Sequence, residues 1–123
     1  SLKLRDTKEV NQTLIANQFA ELYDDIDTDI YEILLAHRPD YIEQYANLPF
    51  DLVLSGHTHG GVVRIPYLIN GIYAWGQGLF PKWSGGLYSI NEQTTLIISR
   101  GLSRESSGRR FYNRPELVVI DIV

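Results

Sequence analysis

Apolar positions recur along this chain at two spacings, and the change from one to the other divides it. In the first part Ile15, Phe19 and Leu22 follow i, i+4, i+7, with Val10 and Leu14 beside them. That period predicts an amphipathic helix reaching about Tyr23. Asp6 followed by Glu9 resembles a capping box that starts the helix near Thr7. After the acidic connector Asp24-Asp25-Ile26-Asp27-Thr28-Asp29 the apolar residues gather into short runs. Tyr31 to His37 and residues 51–55 read as strands, separated by Arg38-Pro39 and a helix from Asp40 to about Asn47. Pro39 suits the first turn of that helix, and Pro49 stops it. Strand, helix, strand in this order predicts a parallel pair with a right-handed crossover. Farther on, Val62 to Pro66 reads as a strand edge and residues 67–85 as a long irregular segment. Residues 86–90 and 95–99 read as hairpin strands joined through Asn91-Glu92-Gln93, and residues 116–122 as a last strand. The fold class is α/β of the mixed, α+β kind.

Composition narrows the picture only a little. A length of 123 residues suits a single domain over 1–123, and 44% apolar with 21% charged residues allows a real core. There is no cysteine, which removes disulfides, thiolate metal sites and cysteine nucleophiles. No apolar run reaches the length of a membrane span, and none of secretory type opens the sequence. The start, Ser1-Leu2-Lys3, with no methionine anywhere, reads as a sequence already under way. The net charge of -4 argues against general nucleic-acid binding, yet it is uneven. Residues 1–51 carry eleven acids and four bases, and residues 52–123 carry four acids and seven bases. A mildly basic second part is compatible with an anionic substrate. The acidic connector lacks the turn glycine and distal glutamate of a calcium loop, so a solvated turn is expected there.

The chemistry concentrates in Ser55-Gly56-His57-Thr58-His59-Gly60-Gly61, which closes the second strand. Two histidines spaced i, i+2 and framed by glycines point to a metal site, because neutral imidazole is a common ligand and glycine lets the backbone turn sharply. The third histidine, His37, ends the neighbouring strand. In open α/β sheets ligands sit beyond the carboxyl ends of the strands, so all three histidines are expected to converge on one crevice. Three imidazoles suit Zn, Mn, Fe or Ni without choosing among them.

Leu34-Leu35-Ala36-His37-Arg38-Pro39-Asp40, together with Leu54-Ser55-Gly56-His57-Thr58-His59-Gly60-Gly61, resembles the second half of the calcineurin-like metallophosphoesterases. The nearest branch is the small bacterial phosphohydrolases with a GHTHGGQ signature. The tail Ile98-Ser99-Arg100-Gly101-Leu102, with Arg110 and Arg114-Pro115-Glu116-Leu117, is similar to the same branch, so the likeness spans roughly residues 31–122. The resemblance implies the C-terminal portion of a four-layer α/β-β/α sandwich with a dinuclear metal centre. His37 and His57 would bind one ion and His59 the other. Two ions about 3.5–4 Å apart would orient a bridging hydroxide for attack on phosphorus, and Thr58 would serve the turn. Val62 stands where this branch commonly has glutamine.

The family's N-terminal metal-binding motifs have no counterpart in residues 1–30, which hold no histidine and no Gly-Asp pair. Paired hard divalent ions need carboxylates. The expectation is therefore a C-terminal fragment of a metal-dependent phosphohydrolase, inactive or nearly so by itself. No catalytic residue is assigned within it. Two alternatives stand beside this: a non-catalytic folded remnant that self-associates through exposed sheet edges, as a homodimer, and a mononuclear zinc site of three histidines and a water. Arg110 and Arg114 are the candidate substrate-binding residues among five arginines at 100, 104, 109, 110 and 114, since arginine forks suit phosphate. Asp40 is a candidate to hydrogen-bond a ligand histidine from behind, or to serve as a helix-start residue. Tyr67, Tyr73, Trp75, Phe80 and Trp83 are expected to pin a long loop rather than to face lipid. The substrate class stays open among phosphorylated small molecules and lipids, as do compartment and any membrane association of a longer parent.

Overall fold

Leucine and isoleucine in unbroken runs favour strands, and two such runs joined by a short helical crossover pair in parallel. The computed structural model, which describes residues 13–14, 17–21, 29–65, 67–74, 76–102 and 110–123, bears this out. Ile33–Leu35 (β1) lies parallel to Leu52–Ser55 (β2), with Leu34 opposite Val53. The crossover is shorter than the sequence suggests. Pro39–Tyr41 forms a 3-10 turn and Ile42–Tyr45 (α1) a single α-helical turn, rather than a helix from Asp40 to Asn47. The chain must come back to β2 within a few residues, and Leu48 N already bonds Tyr45 O at 3.1 Å in the tighter i→i+3 pattern.

After β2 the chain makes a two-stranded hairpin, Tyr73–Ala74 (β3) with Gly78–Leu79 (β4), inside the segment expected to be irregular. Gly86–Ser89 (β5) and Thr95–Ile98 (β6) then form the expected antiparallel hairpin. Its turn is shaped by Asn91, whose Oδ1 accepts from Gln93 N at 2.8 Å and Thr94 N at 2.6 Å. β6 inserts beside β2 in parallel, giving the order β1-β2-β6-β5. Residues 62–65 make isolated bridges rather than a strand edge, Val63 with Phe111 and Ile65 with Ile69, and the Pro66 end of the expected edge lies outside the described residues.

Strand alternation sends Leu34, Val53, Leu96 and Tyr88 to one face, where they meet Ile42 and Tyr45 of α1 and Phe50. Val53, Leu96 and Ile98 are fully buried there. Residues 17–21 are helical, as the apolar period predicts, and the Phe19 ring lies 5.4 Å from that of Tyr45. The predicted start near Thr7 and end near Tyr23 lie outside the described residues. On the opposite face Leu35, Leu54, Ile97 and Leu87 make a second apolar row, with Leu35 77% and Leu87 70% exposed.

The predicted last strand does not form. Residues 116–122 run without strand pairing, Glu116 N donates to Gly101 O at 3.1 Å, and Leu117 and Val119 are exposed. An alternating apolar sequence becomes a strand only where an edge receives it. Among the described residues, neither edge of the four-stranded sheet does so. No helix of the described residues is long and apolar enough to cross a membrane.

Tyr45 gives a direct probe of the packing. Its ring is 1% exposed, and its hydroxyl has no partner in good hydrogen-bond geometry. Burial pushes the phenol up to about 12, against a smaller opposing effect of Ser55. Tyr45→Phe removes an unsatisfied polar atom and is expected to leave stability unchanged or raise it slightly. Tyr45→Ala should cost about 3–5 kcal/mol, as other large-to-small aromatic changes in cores do. Urea denaturation of both variants checks the pair; a large loss on Tyr45→Phe would mean that the hydroxyl is bonded after all.

Candidate metal centre

The parallel pairing continues past the strand ends, and that continuation builds the site. Ala36 N donates to Leu54 O at 3.0 Å and Gly56 N to His37 O at 3.1 Å, so His37 is carried alongside the start of the glycine-histidine turn. The rings of His37 and His57 lie with centroids 5.1 Å apart, edge to face at 73°. The pair expected from strand order is therefore in contact.

The turn itself is tight and held from within. Thr58 N donates to Gly56 O at 2.7 Å and Gly61 N to Thr58 O at 2.8 Å. The Thr58 side chain is wholly buried and its Oγ1 donates to Ser84 O at 2.8 Å, in keeping with the turn role expected of it. His57 and His59 both take the left-handed conformation, at φ 60° and 48°. A non-glycine residue held there is strained by something on the order of 1 kcal/mol or more, and such strain persists only where surrounding bonds impose it. Here the fixed Thr58 between them and the main-chain bonds on either side impose it. The effect is to carry both histidines on one compact loop.

His59 is braced from behind. Asn113 Nδ2 donates to its carbonyl, while His59 Nδ1 is buried with no partner. Burial lowers the His57 pKa below the usual value, with Arg38 and His37 adding to the shift and Asp40 opposing it. Burial also lowers that of His59, with Arg110 and His37 adding. Both rings are thus neutral near pH 7, which is the form that binds a metal.

Those observations fit divalent ions in part. His37 and His57 form a close pair, and His59 offers an unpartnered ring nitrogen. Among the described residues, however, no group of three or more His, Asp or Glu side chains is placed to hold one ion. The nearest acid of the sequence motif, Asp40, is engaged by Arg38, with Nη2 to Oδ2 at 2.6 Å and Nε to Oδ1 at 3.2 Å. It sits in the first turn after Pro39, and its charge reaches His57.

The arginines separate into distinct roles. Arg100 pairs with Glu116, and its side chain packs against Gly60 and Gly85. Arg110 is partly buried and bonded to the main chain, with Nη2 to Arg100 O at 2.9 Å, whereas Arg114 is exposed. Arg104 and Arg109 lie outside the described residues. Of the aromatic residues, Trp83 is pinned as expected: Gln77 bonds its carbonyl and its N–H at 2.7 and 2.9 Å, and Tyr88 meets its ring edge-on at 5.0 Å. Tyr67 and Phe80 are exposed, and Trp75 lies outside the described residues.

Sequence reasoning passed over Asn113 and Ser84, the two residues that brace the turn. They lie 54 and 26 positions from their partners, and nothing in the local pattern marks them. Arg38 was legible only as a strand breaker before Pro39.

Seven curated proteins match the chain significantly. An uncharacterized metallophosphoesterase of Campylobacter jejuni is 33% identical over 97% of this chain and 30% of its own length. The phosphodiesterase YaeI of Escherichia coli is 31% identical over 79% of this chain and 34% of its own length. The UDP-2,3-diacylglucosamine pyrophosphatase LpxG of Chlamydia trachomatis is 32% identical over 98% of this chain and 39% of its own length. The chain thus spans about a third of the length of the curated relatives it matches. No protein-family model matches it, and no solved structure matches it.

Proposed function

This chain belongs to the calcineurin-like metallophosphoesterases, a C-terminal region of which it matches at modest identity, and from that premise we propose that it contributes the histidine side of a metal-dependent phosphoester hydrolase site. The observation that carries the reading is the contact of His37 with His57, reached from two parallel strands, with His59 on the same strained loop. His37 and His57 would hold one divalent ion and His59 a second. Such ions polarise a phosphoryl oxygen and make water nucleophilic at neutral pH.

The chain's own residues do the positioning. Burial keeps His57 and His59 neutral, so neither needs to lose a proton before it can bind a metal. Thr58 locks the spacing of the two rings through Ser84, and Asn113 fixes the His59 backbone. No described carboxylate joins the histidines, so the paired ions lack the negative charge they require from this chain. We therefore expect the chain by itself to hold metal weakly and to turn over little substrate. The names of the relatives bring phosphodiesters and a nucleotide-linked pyrophosphate into the range of substrates.

Metal content by elemental analysis, paired with hydrolysis of bis(p-nitrophenyl) phosphate with added Mn²⁺, tests this. Weak, histidine-dependent metal uptake with turnover near background is the expected result. Two tightly held ions with rapid turnover would mean that carboxylates come from elsewhere in the chain or from a second copy. One zinc with slow turnover would instead favour a mononuclear site. A second reading, a folded unit that self-associates, is favoured by the exposed row of Leu35 and Leu87 on the sheet face away from α1. Light scattering across concentration separates it: a persistent dimer that Leu87→Lys dissociates supports it, and a monomer at all concentrations rejects it.

A further inference from the structure

Arg110 is held differently from Arg38 and Arg100, the arginines on either side of the turn that meet carboxylates. Arg38 is neutralised by Asp40 at 2.6 Å and Arg100 by Glu116. Among the described residues no carboxylate pairs with Arg110. Its guanidinium donates instead to two main-chain carbonyls, Nη2 to Arg100 O at 2.9 Å and Nη1 to Gly101 O at 3.5 Å. Carbonyl bonds fix the plane of the fork without cancelling its charge. A guanidinium carries five N–H donors, so donors remain, and Arg110 Nε is buried with no partner. A cation partly withdrawn from water, with no counter-charge among the described residues, is favoured by an anion that arrives to complete it.

The fold sets that fork beside the histidine turn. Phe111 N donates to Val62 O and Arg64 N to Phe111 O, both at 3.1 Å, while Asn113 Nδ2 reaches the His59 carbonyl. Residues 110–113 therefore run along residues 59–64. Gly60 is what lets them lie so close, since a Cβ there would stand 2.5 Å from Asn113 Oδ1 and 2.8 Å from Arg100 Cδ. The Arg110 charge is felt at His59, where it adds to the effect of burial.

We propose that Arg110 is an oxyanion-gripping residue, held by the carbonyls of Arg100 and Gly101 so that its unbonded N–H groups receive a phosphate oxygen beside His59. The ligand chemistry is a phosphate group, whether of an organic phosphoester or of free orthophosphate. This inference rests on the phosphoesterase reading for its biological sense, and its test does not need metal. Arg114, being exposed, is not part of the grip.

Calorimetric titration of the chain with orthophosphate in metal-free buffer tests it, with Arg110→Ala, Arg110→Lys and Arg114→Ala alongside. Hydrogen bonds to charged groups correspond to roughly a tenfold to hundredfold change in affinity. Arg110→Ala should therefore weaken phosphate binding at least about tenfold. Arg110→Lys should recover only part of that, because an ammonium keeps the charge but not the fork. Arg114→Ala should change it less than about twofold. If Arg110→Ala fails to fold by near-ultraviolet dichroism, the lysine variant and Arg110→Gln carry the comparison. No phosphate binding by the unmodified chain, equal binding by Arg110→Ala, or an equal loss in Arg114→Ala would each overturn the assignment. Bis(p-nitrophenyl) phosphate distinguishes the source: tighter binding than orthophosphate marks an ester site, and weaker binding a free-phosphate site. Arg110-dependent phosphate binding by a chain whose histidines take up no metal would reject the phosphoesterase reading and leave the oxyanion site standing.

Discussion

Gly61→Ala is expected to be the most damaging small substitution in the molecule. Gly61 takes φ +71°, where alanine is strained by about 1–2 kcal/mol. A Cβ there would also stand 2.8 Å from Gly71 Cα and 3.3 Å from Tyr73 O. Both are backbone atoms, so no side chain can swing away and the two segments must move apart. Overpacking of this kind typically adds about 1–3 kcal/mol. The sum, roughly 2–5 kcal/mol, compares with the 5–15 kcal/mol that holds a whole domain together. Gly78→Ala separates the two contributions, because Gly78 is also left-handed at φ +79° but has nothing within 4 Å of the added carbon. Denaturant titration should show a loss of about 1 kcal/mol for Gly78→Ala and at least twice that for Gly61→Ala. Equal losses would mean that the loop after β2 is not packed against Gly71 as described. The consequence reaches the site directly, since Gly61 closes the turn that carries His57 and His59.

The part of this architecture that sequence reveals is the part that depends on local chemistry. Leu34 and Val53 lie in apolar runs joined by a proline-started turn, so their parallel pairing follows, and with it the meeting of His37 and His57 at one end of the sheet. Asn91 in a hairpin turn is legible for the same reason: its side chain bonds the backbone two and three residues on. What escapes is whatever depends on distant partners. A strict reading of backbone preference gives the left-handed conformation to glycine, yet His57, His59 and Val62 adopt it too. They are held there by tertiary bonds such as that of Thr58 to Ser84, 26 residues away. The last strand fails for the mirror-image reason. Leu117 to Ile122 has the composition of a strand, and among the described residues no edge accepts it. The helix after Pro39 is cut short because the return to β2 leaves no room for it.

Removing one imidazole from the paired histidines should have the largest effect on ligand binding, provided the backbone is left in place. His57 and His59 are left-handed, and asparagine is among the few residues that tolerate that conformation. His57→Asn and His59→Asn therefore delete a ring without unwinding the turn, whereas alanine would confound the two effects. Loss of an outer partner of a metal ligand already costs about 10–100-fold in metal affinity, so loss of a ligand itself should cost at least about 100-fold. The pattern across variants carries more information than the size. His37 and His57 are in ring contact and would share one ion, so His37→Ala with His57→Asn should be little worse than either alone. His59 would serve another ion, so His59→Asn should act independently of both, as sites without a shared partner do. Zinc competition titrations on the three single and three double variants measure this. Strong non-additivity between His57→Asn and His59→Asn would place all three rings on one ion and reject the division proposed here. Unchanged affinity in every variant would remove the histidines from metal binding, and with them the proposal that this chain supplies the histidine side of a phosphoesterase site.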